Sequence, residues 1–177
     1  YLSVLYAIYL LVLLSIPYLA LKPNIEFLTT KQYVYHITSW KWSFYLHVFS
    51  SSFIILSGLF QFNRWAINKH PKIHKTLGYI YISLLLLISG PAGLIMSLYA
   101  NGGIYAQISF VSLSFCWIIF TLIAFILVLQ KKYIQHGKWL LRSYALTLSA
   151  VTLRLYLMLI HYFNVDINPI ESYILVA

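Results

Sequence analysis

The sequence predicts an all-α protein, a polytopic transmembrane helical bundle of five complete spans plus the start of a sixth, in one transmembrane domain over residues 1–177. Three observations carry this. Hydrophobic residues make up 62% of the chain and charged residues 8%, whereas a soluble domain is about a quarter charged. Apolar runs of about 20 residues, the length that crosses a hydrocarbon core, recur along the sequence. The basic residues fall mostly between those runs: of 12 Lys and Arg, four lie in 63–76, four in 130–142 and three in 22–43.

Residues 1–21 form the first span, closed by Lys22-Pro23. It has neither a basic leader nor a small-residue cleavage site, so it reads as a retained helix. The chain starts at Tyr1 and stops at Ala177 within an apolar run, so more sequence is expected at both ends. Residues 22–43 mix Tyr33, Tyr35, Trp40 and Trp42 with Lys31, His36 and Lys41, the composition of a loop or short helix at the head-group level.

The second span, 44–62, places His47, Ile54, Gly58 and Gln61 on one helical face, with Ser50, Ser51 and Ser52 able to bond neighbouring backbones. The third, 77–100, contains Pro91, which removes a backbone donor and should kink the helix. An uncharged Asn101-Gly102-Gly103 turn leads to the fourth span, 104–129, and a basic loop to the fifth, 139–163; a sixth begins near 172. By the positive-inside rule both strongly basic loops are cytoplasmic and 22–43 lies outside. TM2–TM3 and TM4–TM5 are then two hairpins of the same sense.

Composition also bounds function. A formal charge of +9 could suggest nucleic acid, but that needs a contiguous basic surface. Here the cations occupy short loops, where they act as topology signals and contacts to anionic lipid head groups, so the lipid bilayer is the expected partner and nucleic acid is not. Cys116 is the single cysteine, which excludes an internal disulfide, a cysteine zinc site and a cysteine-held cluster. Nothing marks a soluble enzymatic domain.

The residues that point to chemistry are histidines and one arginine. On an unbroken helix Arg154 lies about five turns beyond His136, and His161 falls within roughly 20° of the same line. A cation inside a span is costly and normally faces the bundle interior or a wet cavity. With the topology above, His47 and His161 lie at the outer ends of spans two and five, and His74 and His136 at the inner ends of spans three and five. Each leaflet therefore has a pair of histidines at matched depth. Bis-histidine ligation of haem needs two facing imidazoles, a wall free of bulk and a counter-charge for the propionates. Gly58, Gly78 and Arg154 could supply the last two, with His74 and His136 as the first candidates for the iron. Zinc or copper would want three or more ligands per site, and no such cluster is present. Without a cofactor, the same histidines are interfacial residues and the polar face is a packing surface. His36 and His70 lie in loops and read as solvated. Arg154 has no acid within any span; it either snorkels toward Asp166 or Glu171 or faces inward to an anion.

The stretches HKTLGYIY (74–81) and HGKWLLRSYALTLSAVTLR (136–154) resemble a bacterial membrane family known as domain of unknown function 2306. The resemblance covers His47 to Arg154. The family's first motif reads His-Arg, two residues, Gly-Arg, one residue, Tyr; its second reads His, two residues, Trp-Met, one residue, Arg-Ser-Tyr-Ala-Leu-Thr. The chain matches at His74, Gly78, Tyr81, His136, Trp139, Arg142, Ser143, Tyr144, Ala145, Leu146, Thr147 and Arg154, and His47 and Gln61-Phe62 also look like the family. It departs at Lys75, Tyr79 and Leu140, and His161 lies outside the motif. The resemblance implies a multi-pass protein of the bacterial cytoplasmic membrane and brings no established activity. Three readings follow: electron transfer through one or two b-type haems, with a quinone as a candidate partner; a cofactor-free accessory or assembly subunit of a larger membrane complex; or a solute or proton pathway along Arg154 and the histidines.

Overall fold

The computed structural model describes Tyr6, Tyr9 and residues 15–163, apart from the side chains of Arg64, Arg154, Leu155, Leu157, Met158, Ile160 and His161. Most of the expected first span, the sixth span near 172, and Asp166 and Glu171 lie outside the described residues. Contacts divide the chain into two compact units, Tyr1–Ala92 and Gly93–Ala177. Among the described residues all regular structure is helical.

The first unit opens with two 3₁₀ turns, Ile16–Ala20 and Glu26–Lys31, and a short helix α1, Gln32–Tyr35. The long helix α2 then runs Thr38–Gln61. It begins six residues before the apolar run, and Trp40 and Phe44, at 0% and 2% exposure, are its buried anchors. Phe44 is the hub of an aromatic cluster, with Tyr18 at 5.0 Å, Trp40 at 5.7 Å and Phe27 at 6.0 Å between ring centroids. Trp42 and Tyr33 stay exposed, as a head-group belt would have them.

Asn63 caps the short helix α3, Arg64–Lys69, by accepting the Trp65 N–H at 2.9 Å. Pro71, whose fixed φ suits the first helical position, starts α4, Pro71–Leu84, six residues before the expected third span. Pro91 has no N–H to offer the Leu87 carbonyl, and its ring presses on it. The helix answers with a π turn over Leu85–Ser89 before α5, Gly90–Ser97. The distortion expected at the proline therefore sits one turn ahead of it.

In the second unit, α6 spans Gly103–Leu129 and α7 spans Tyr133–Tyr162. Gly102 and Gly103 have φ of 100° and 73°, which explains the Gly-Gly turn before α6. Helix α7 starts six residues before the expected fifth span, at Tyr133, and runs on through Gly137. A Cβ added at Gly137 would meet nothing within 4 Å.

Thr38–Gln61, Pro71–Ser97 and Gly103–Leu129 are each long and apolar enough to cross a membrane. Their outward surface is hydrophobic: Phe53 is 62% exposed, Leu87 75% and Phe115 57%. In water such a surface would be an aggregation liability; against lipid it is ordinary contact.

Candidate functional site

Each unit is built on one antiparallel helix pair, and each pair is closed by a polar seam ending on a histidine. In the first unit, His47 reaches the π turn: its Nδ1 lies 2.9 Å from the Ser89 carbonyl and 3.3 Å from the Ser89 hydroxyl. A carbonyl can only accept, so Nδ1 carries the proton and Nε2 holds the lone pair. Fourteen residues along α2, about 21 Å, Gln61 donates from Nε2 to the His74 carbonyl at 3.1 Å. These two bonds pin α2 against the Pro71–Ser97 helix near both ends. Ile54, at 0% exposure, and the buried Gly58 lie between them, so the face predicted from spacing is the one turned inward.

Gly78 has a specific neighbour: a Cβ there would stand 3.2 Å from Gln61 Oε1. The space its missing side chain leaves is where the Gln61 amide passes, so that side of Gly78 is filled by the chain itself. The serine run also has a different job from the one expected. Ser50, Ser51 and Ser52 bond back to the Leu46, His47 and Val48 carbonyls of their own helix, because the i−4 carbonyl is the nearest acceptor for a helical serine. Ser52 additionally meets the Ser15 hydroxyl.

In the second unit, Trp117, Thr121 and Ala124 line one face of α6, and His136, Ser143 and Thr147 line one face of α7. Trp117 Nε1 donates to Thr147 Oγ1 at 2.9 Å, and the Thr121 and Ser143 hydroxyls meet at 2.6 Å. His136 Nδ1 donates to the Ala124 carbonyl at 2.8 Å, which again leaves Nε2 as the lone-pair nitrogen. Thr121 and Ser143 are fully buried. Trp139 packs edge-on against Phe120 at 5.2 Å, and the Arg142 guanidinium lies 4.5 Å from the Trp139 ring centroid. The motif that begins at His136 thus does much of its visible work in joining α7 to α6.

His136 and Arg154 share one unbroken helix, as the face argument required; the side chains of Arg154 and His161 lie outside the described residues. His74 is half-buried, with Nδ1 enclosed. His74 and His136 fall in different units, each described by itself. His36 is exposed, while His70 is half-buried with its ring 4.2 Å from that of Trp65. Among the described residues no three His, Cys, Asp or Glu side chains gather as a metal-binding group, and Cys116 is a free thiol.

Sequence reasoning did not find Ser89, Trp117 or Thr121. The signal for Trp117 and Thr121 was their spacing with Ala124 at i, i+4 and i+7; Ser89 carried none. Sequence reasoning also passed over Lys31, which is 2% exposed in an aromatic setting, with Nζ 5.5 Å from the Phe27 ring centroid and 5.6 Å from that of Tyr33. Burial lowers its pKa to about 8.

Apolar helices with lipid-ready outer faces and polar seams kept inside define an α-helical membrane protein. The family comparison agrees: the model described as "Predicted membrane protein (DUF2306)" matches residues 44–177. The chain belongs to that family. No curated protein and no solved structure matches it.

Proposed function

We propose that the chain is a multi-pass protein of the bacterial cytoplasmic membrane that holds b-type haem and passes electrons, with axial ligands drawn from His47, His74, His136 and His161. The observation that carries this reading is the tautomer of His47 and His136. Each has its Nδ1–H donated to a backbone carbonyl of a neighbouring helix, which orients the ring the way a metal-ligating histidine is held. Each fits the donor chemistry of one axial ligand, His47 for the outer candidate pair and His136 for the inner. Haem would supply one-electron chemistry. The chain's part is to fix the imidazoles, to exclude water through its apolar spans, and to offer Arg154 as a counter-charge to a propionate or to a quinone oxygen.

A reduced-minus-oxidised visible spectrum of the purified protein tests this. A sharp band on reduction is expected, lost in His136→Ala and retained in His70→Ala, whose ring packs on Trp65 instead. A protein purified with its helices intact but without the band sinks the haem reading.

A second reading, the cofactor-free accessory or assembly subunit of a membrane complex, is favoured by the second seam. His136, Ser143 and Thr147 are all bonded within the α6–α7 pair, as residues that join two helices would be.

The same proposal includes topology: five spans with a sixth following, the 63–76 and 130–138 stretches in the cytoplasm, and the Gly102 turn outside. Reporter fusions in the two basic loops should give cytoplasmic signals and a fusion at Gly102 an external one. A cytoplasmic signal from Gly102 would overturn the orientation.

A further inference from the structure

Residues 63–76 carry Arg64, Lys69, Lys72 and Lys75 without an acid, and among the described residues the only carboxylate side chain is that of Glu26. Between α3 and α4 the backbone at His70 takes φ −132° and ψ 60°, which turns the chain and leaves an open recess of about 390 Å³ lined by Lys69, His70, Pro71, Lys72 and Ile73. Lys69 and Lys72 are exposed and bring two cations to its rim.

The same stretch leaves three large apolar side chains uncovered, Trp65 at 51% exposure, Ile67 at 43% and Ile73 at 46%; Ile73 lines the recess and Trp65 packs on His70. Exposed Trp and Ile interleaved with Lys suit a boundary where one side is hydrocarbon and the other carries fixed negative charge. Pro71 is also the first residue of a helix long and apolar enough to cross a membrane, so the recess lies where that helix would leave the bilayer. A free anion in water would use the lysines and have no use for the Trp65, Ile67 and Ile73 surface.

We propose that this recess binds the phosphate head group of an anionic phospholipid. Lys69 and Lys72 meet the phosphate oxygens, and Trp65, Ile67 and Ile73 lie against the lipid beside them. The site is independent of haem.

The test uses the full chain in nanodiscs of mixed phosphatidylcholine and phosphatidylglycerol, with the lipids that stay bound on transfer to detergent counted by native mass spectrometry. Wild type is expected to retain phosphatidylglycerol in preference to phosphatidylcholine. Each of Lys69→Gln and Lys72→Gln should reduce that preference about fivefold. Both lysines are exposed, so the exchanges leave packing intact, and Lys69→Arg should keep the preference. Equal retention of the two lipids by wild type overturns the site, as does an unchanged preference in the Lys69/Lys72 variants. If inorganic phosphate displaces the lipid at equal concentration, the recess recognises a free anion and the lipid assignment is wrong.

Discussion

Replacing Ser143 with leucine is expected to lower the stability of the protein by about 3 kcal/mol, the sum of an overpacked helix contact and a lost buried hydrogen bond. Ser143 is 0% exposed and its hydroxyl lies 2.6 Å from that of Thr121, also 0% exposed, so there is no room for three further carbons without separating α6 from α7. Small residues at such a position let two helices approach in lipid, where no hydrophobic driving force holds them together. The measurement is reversible unfolding in mixed detergent micelles, with Leu141→Ala as the control. Leu141 sits two residues earlier on α7 but is 56% exposed, so its truncation should change stability by less than about 0.5 kcal/mol. If both variants behave alike, the seam is not what joins the pair.

Exchanging Lys31 for methionine should stabilise the protein at neutral pH, and the gain should disappear in alkali. Burial lowers the Lys31 pKa from its ordinary 10.5 to about 8. Below about 8 the amine is charged in both folded and unfolded chains, and the folded state bears the whole desolvation cost. Between about 8 and 10.5 the unfolded chain holds a proton that the folded one has released, so this group makes stability rise with pH through that window. The shift corresponds to about 3 kcal/mol, against which the ring contacts to Phe27 and Tyr33 return about 1 kcal/mol and the long hydrogen bond from Nζ to the Tyr33 hydroxyl, at 3.5 Å, up to about 1 kcal/mol. A net gain of about 1 kcal/mol for Lys31→Met at pH 7 is therefore expected. Comparing variant and wild type across pH cancels the other lysines and tyrosines. A loss of stability at pH 7 would mean that the aromatic contacts outweigh desolvation and that the cation is a structural tie.

The legible parts of this protein are those that depend on one segment at a time. Apolar runs located the helices, yet α2, α4 and α7 each begin six residues before the predicted span. Helix geometry does not require hydrophobic residues: Thr38, Pro71 and Tyr133 start helices in polar sequence because nothing there breaks the backbone pattern and Pro71 favours it. The inward face of α2 could be read because the positions of Ile54, Gly58 and Gln61 follow from 3.6 residues per turn. The π turn could not be placed from Pro91 alone, whose missing N–H says only that the preceding turn is disturbed. The Ser89 carbonyl within that turn accepts from His47, 42 residues away in the chain.

Taken alone, the sequence determined that this is an α-helical membrane protein, because bilayer thickness and the cost of charge in hydrocarbon act on composition directly; its family rests instead on the motifs at 74–81 and 136–154 and on the match over residues 44–177. Only the tertiary structure decided what the marked residues touch. Gly78 was read as part of a wall free of bulk, and the Gln61 amide passes beside it. Ser143 and Thr147 were letters in a motif and are half of a hydrogen-bonded seam. His47 and His136 were candidates by position alone, and the carbonyls of Ser89 and Ala124 fix which nitrogen of each ring carries the proton. Hydrogen bonds between helices join residues 12 to 42 positions apart. Their partners are set by helix register, which no single span encodes.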